Sequence, residues 1–96
     1  MDTNAFKASL NQETPPDLPT PLKALWHDAK GDWGTAHDLL QGHDEGAGAW
    51  VHAYLHRKEG DASNAAYWYR RAGKPVATVT LAEEWAAIAT ALLAHV

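Results

Sequence analysis

The pair Gly-Asp occurs twice in this chain, within Lys30-Gly31-Asp32 and Glu59-Gly60-Asp61, 29 residues apart. Glycine tolerates the left-handed backbone that ends a helix, and aspartate is a strong N-cap for the next one. A joint this short makes the flanking helices antiparallel neighbours. The punctuation therefore predicts one hairpin from helices over about 21–30 and 33–41, and a second from helices over about 47–59 and 62–72. Between them, Gly42-His43-Asp44-Glu45-Gly46-Ala47-Gly48 reads as a loop, with three glycines breaking it. Gly73 stops the second hairpin. Pro75 and the run 76–80 read as a coil connector, because one short strand would have no partner. Thr80 and Glu83 form a capping box that opens a last helix over about 81–95. The 19 alanines suit a helical chain, and no pair of segments carries hairpin-turn chemistry for strands. The predicted fold class is all-α.

The region before the first hairpin is different. Four prolines fall within residues 13–21, which removes donors and fixes φ. Residues 1–19 are predicted as an N-terminal arm with a short helix over 2–11, starting after Asp2 or Thr3. Thr20-Pro21 reads as an N-cap followed by proline at the first helical position. The helical domain then spans 20–96. At 46% hydrophobic and 21% charged residues, a packed globule is expected. The absence of cysteine excludes disulfides, thiolate catalysis and cysteine zinc sites. The net charge of −4 argues against general nucleic-acid binding. No apolar run reaches the roughly 20 residues needed to cross a bilayer, and Met1-Asp2-Thr3-Asn4 does not open a secretory signal. A cytoplasmic location is the expectation.

The joints belong to a wider internal match. A shift of 29 residues superposes Ala24 on Ala53, His27 on His56, Gly31-Asp32 on Gly60-Asp61 and Ala36 on Ala65, with Leu25 on Tyr54 and Leu40 on Tyr69. Gly31-Asp32-Trp33, Ala36 and Leu40, and then Gly60-Asp61, Ala65, Tyr69 and Ala72, resemble the tetratricopeptide and Sel1-like helical repeats over residues 20–73. The stretch Tyr67-Trp68-Tyr69-Arg70-Arg71-Ala72 resembles the Sel1 ending in particular. The period departs from the tetratricopeptide unit of about 34 residues. His27 and His56 stand where such repeats carry a large aromatic. The resemblance implies antiparallel hairpins stacked as a small α-α superhelix, with the last helix as a C-terminal cap. It also implies that Trp50, Tyr54 and Arg57, at i, i+4 and i+7, face the concave side, a Trp-Tyr-Arg stripe of hot-spot composition. The alternative is that the last helix covers this stripe.

Two other groupings invite chemistry. Residues 56–74 hold Arg57, Lys58, Arg70, Arg71 and Lys74 against Glu59 and Asp61, a local +3. Arginine suits carboxylate and phosphate recognition, so Arg71 joins the candidate surface. His52 and His56, four apart on a helix, share a face and suit a metal, with His27 as the third ligand brought near by the repeat. Packing of these histidines is the preferred reading, and no metal or other cofactor is expected. The other tryptophans, Trp26, Trp33, Trp68 and Trp85, read as core, with Trp33 in the crook of the first hairpin.

The sequence thus predicts a non-enzymatic helical-repeat module that binds a protein or peptide, with an acidic or C-terminal carboxylate partner favoured. Two alternatives stay open. One is a small metal-dependent or acid–base hydrolytic enzyme using His27, His52 and His56 with Asp28 or Asp32. The other is a structural homodimer in which the aromatic face meets its twin.

Overall fold

In a computed structural model that describes all 96 residues, the chain forms six α-helices and no strand. These are α1 (Thr3–Ala8), α2 (Thr20–Ala29), α3 (Trp33–Leu39), α4 (Gly46–Glu59), α5 (Ala62–Ala72) and α6 (Leu81–Leu93), with a 3-10 turn over Ser9–Asn11. No helix is long and apolar enough to cross a membrane.

The two Gly-Asp joints have the same hydrogen-bond pattern. Gly31 and Gly60 take φ of +84° and +91°. The Gly31 N–H donates to the Asp28 carbonyl (2.9 Å) and the Asp32 N–H reaches back to the His27 carbonyl (3.0 Å). At the second joint Gly60 donates to Arg57 (3.1 Å) and Asp61 to His56 (2.9 Å). These paired bonds satisfy carbonyls that the helix end leaves free. On the other side, the Asp32 carboxylate accepts from the Thr35 N–H (3.1 Å) and the Asp61 carboxylate from the Asn64 N–H (3.2 Å). The Thr35 hydroxyl and amide hold the Asp32 carboxyl below the usual carboxylate range. Ala36 and Ala65 are both buried, Ala65 in a small cluster with Ala53 of α4 and Tyr69.

Several helix ends depart from the sequence expectation. Thr20 is the first residue of α2 rather than its cap. The Pro19 carbonyl accepts from Leu22 and Lys23 (3.0 and 3.2 Å), and the Thr20 side chain caps nothing. α3 stops at Leu39 instead of 41, because Leu40 and Gln41 bond three residues back and Gly42 turns to φ +84°. α6 stops at Leu93 because His95 and Val96 also bond three residues back. Thr80 caps α6 as expected, accepting from the Glu83 N–H at 3.1 Å and donating its hydroxyl to the Glu83 carboxylate.

The main core joins α2, α3, α4 and α6 to the N-terminal segment. Phe6 of α1 is fully buried and stacks on Trp85 of α6 at 5.5 Å and 18°. Ser9 accepts the Trp26 indole N–H (3.1 Å), and Lys30 donates to the carbonyls of Leu10 and Gln12 (2.7 and 3.1 Å). Residues 9–12 are thereby pinned to α2, while α1 packs on α6. Trp85 donates to the Leu25 carbonyl (3.0 Å) and Trp33 to the Leu55 carbonyl (2.9 Å), so each of these indole N–H groups has an acceptor. The connector over residues 74–80 carries no regular structure, with Val76 and Val79 exposed.

Candidate functional site

The Trp50–Tyr54–Arg57 stripe does not meet solvent as one surface. α6 runs antiparallel across it, its C-terminal half beside Trp50 and its N-terminal half beside Tyr54 and Arg57. Tyr54 is only 3% exposed. Arg57 donates to the Glu84 carboxylate at 2.8 Å and also to the Val79 carbonyl. Glu84 is itself buried and accepts the Tyr69 hydroxyl at 2.5 Å. Arg57 therefore closes an internal network that ties α4, α5 and α6. Burial, followed by that Glu84 bond, raises the Tyr69 phenol; burial and the Asp28 carboxylate raise Tyr54. Arg71 is engaged elsewhere. It pairs with Glu45 and donates to the Asp44 carbonyl (3.3 Å) and Tyr67 (3.3 Å), fastening the loop before α4 to α5.

α6 borders three clefts, one of them against Met1–Thr3, and the other two adjoin the stripe, one at each end of the helix. The smaller of these two, about 300 Å³, takes Trp50, with the Lys74 ammonium 4.3 Å above its ring and His95 at the side. The larger, about 480 Å³, lies where α2, α4, α6 and the N-terminal turn meet. Its walls are Leu10, Ala29, Leu81, Ala82 and Trp85, and Tyr54 and Asp28 also line it. Lys7 and Lys58 bring two cations to it. Lys58 pairs with Asp28 at 3.0 Å, while Lys7 is exposed and has no ion-pair partner. Asp28 is almost wholly buried, and its Oδ2 has no hydrogen-bond partner. Among the sequence candidates, then, Tyr54 and Trp50 reach different clefts, and Arg57 and Arg71 serve internal contacts. Lys7, Leu10 and Lys58 become recognisable as neighbours only with the arm docked.

A second constellation forms on the opposite side of α4. His52 and His56 lie one turn apart, and the third histidine is His37 from α3, where the sequence suggested His27. One ring nitrogen from each of His37, His52 and His56 lies within 4.8 Å of the others. His27 instead packs edge-on against Trp26. His27 and His56 hold equivalent places at the ends of α2 and α4, and although Lys58 and Asp28 bring those ends together at 3.0 Å, the His27 ring is not among the nitrogens that meet at His52 and His56. His37 is one turn beyond Trp33, which sits in the crook against α4, so both face the same neighbour. That i, i+4 Trp33–His37 spacing is the signal that points to the third member.

The geometry of the cluster is defined by aromatic walls. Trp33 stacks on His37 at 4.9 Å and Trp68 stacks on His52 at 3.9 Å. The facing Nε2 atoms of His37 and His52 are 3.0 Å apart, one ring donating to the other. The buried Nδ1 of His52 has no partner. Burial, with His37 and His56 close by, lowers the His52 pKa to about 4, so its ring is neutral at neutral pH. His56 Nδ1 meets the Glu59 carboxylate at 2.5 Å, and its Nε2 faces the Asn64 amide at 3.4 Å. None of these three clefts is lined by these histidines. No family model, curated protein or solved structure matches the chain.

Proposed function

We propose that this is a non-catalytic binding module, built of two repeat-like helical hairpins capped by α6, that holds the apolar C-terminal end of a peptide or protein partner. The observation that carries this reading is the 480 Å³ cleft, which has apolar walls and two lysines. Its size is within the range of small-ligand sites and admits one or two side chains rather than a helix. Lys7, with no internal partner, supplies an ammonium for a terminal carboxylate. Leu81, Ala82 and Trp85 offer contact area to the last side chain. The acidic or carboxylate partner expected from the sequence is thus kept, and its seat moves from the α4 stripe to the cleft between α4 and the arm.

The test is an array of hexapeptides ending in large apolar residues, each made with a free carboxylate and as the amide. Free-acid peptides should bind, and amidation should weaken binding at least ten-fold. Lys7→Glu should do the same, and Ala82→Trp should abolish binding by filling the cleft. Equal binding of amides and acids, or binding that survives Ala82→Trp, contradicts the proposal.

A further inference from the structure

We propose that His37, His52 and His56 form a binding site for one divalent transition-metal ion, with zinc(II) as the reference ion. This rests on different residues from the cleft and stands independently of it. Three observations carry it. First, the spacing is close to what a metal needs. Two nitrogens on one tetrahedral zinc lie about 3.3 Å apart, given zinc–nitrogen distances of about 2.0–2.1 Å. The His37 and His52 Nε2 atoms stand at 3.0 Å, and the full set falls within 4.8 Å.

Second, the cluster has the outer support that ligating histidines use. A carboxylate on one ring nitrogen fixes the tautomer and raises the basicity of the other. Glu59 does this for His56, accepting from Nδ1–H, and the Asn64 amide facing Nε2 agrees with a lone pair there. Third, the ligands are held before any ion arrives. His52 and His56 are 6% exposed, and the Trp33 ring stacks on His37 while the Trp68 ring stacks on His52. Imidazole-only donor sets suit zinc, copper and nickel over calcium or magnesium. The ion would add a further tie between the short α3 and α4, beside the Trp33–Leu55 hydrogen bond.

The experiment is calorimetric titration of the untagged, chelator-stripped full chain with zinc(II), with imidazole NMR resonances followed in parallel. One ion should bind per chain, and of the six histidines only His37, His52 and His56 should shift. Glu59→Gln, which leaves the three rings in place, should weaken binding about 10- to 100-fold. His37→Gln should weaken it at least as much, while His27→Gln and His43→Gln should leave it unchanged. The proposal is overturned if no saturable one-to-one binding occurs, if His37→Gln binds as tightly as the parent, or if the imidazole shifts fall on His27, His43 or His95. The resonance readout uses the unaltered chain, so it decides the matter even where a variant fails to fold.

Discussion

A methyl group on Gly48 would stand 2.4 Å from the His43 carbonyl oxygen and 2.6 Å from its Cβ. The backbone of the 42–45 loop lies directly on α4 there, so neither side can give way cheaply. Gly48→Ala should destabilise the chain by about 1–3 kcal/mol. Gly34 in α3 faces open space, and Gly34→Ala should stabilise by about 0.5–1 kcal/mol. Paired denaturant titrations check both signs. His52 gives a pH dependence in the metal-free chain. Its folded pKa of about 4 lies below the 6.5 of the free group, so between those values the unfolded chain binds the extra proton. Stability is then fully present above about pH 6.5 and falls as pH drops toward 4, by roughly 2–3 kcal/mol at most. Urea midpoints at pH 7 and 4.5 in excess chelator should differ less in His52→Gln than in the parent. At this scale the sequence is most legible where the chemistry is local. The Gly31 and Gly60 turns and the Asp32, Asp61 and Thr80 caps involve neighbours within a few residues, and each forms as expected. His37 is not legible in the same way, because its contact with His52 crosses a loop whose path depends on Gly48 fitting under His43.

Between elements, the network of half-buried Arg57 with buried Glu84 and Tyr69 is the main polar tie of α6 to the second hairpin. Removing the guanidinium would leave a buried carboxylate with only the Tyr69 hydroxyl. Arg57→Ala should therefore cost about 3–5 kcal/mol, and an exposed arginine on a binding face would cost almost nothing. Thermal melts of Arg57→Ala beside Arg70→Ala, whose side chain is exposed, separate the two cases. The coverage of the stripe by α6 cannot be decided from the sequence. Periodicity places Trp85, Ile88, Leu92 and Leu93 on one apolar face, of which Leu92 is only half-buried, yet it does not say which face of which helix receives them. That is set by the connector over residues 74–80, whose exposed Val76 and Val79 give no directional signal. The repeat offset likewise aligns His27 with His56 correctly as joint positions. It misleads only where positional equivalence is equated with proximity.

In the whole molecule, the N-terminal segment and α6 approach from opposite ends of the chain and meet at Phe6 and Trp85. Residues 1–19 read as an arm because their prolines break helical patterning. Their one aromatic, Phe6, nevertheless enters the main core, and Leu10 and Leu18 pack against it. A lone apolar residue in a short helix has no periodicity to announce its burial. This meeting also creates the cleft, since Lys7 and Leu10 form one wall and Leu81, Ala82 and Trp85 another. The seating of a partner's C-terminus in this cleft is the central functional claim. The most direct measurement is a backbone amide NMR titration of the full chain with a free-acid hexapeptide ending in leucine. Shifts concentrated at Lys7, Leu10, Ala29, Lys58, Leu81 and Ala82, and absent with the amidated peptide, are predicted. Shifts centred on Trp50, Lys74 and His95, or spread without focus, would contradict it.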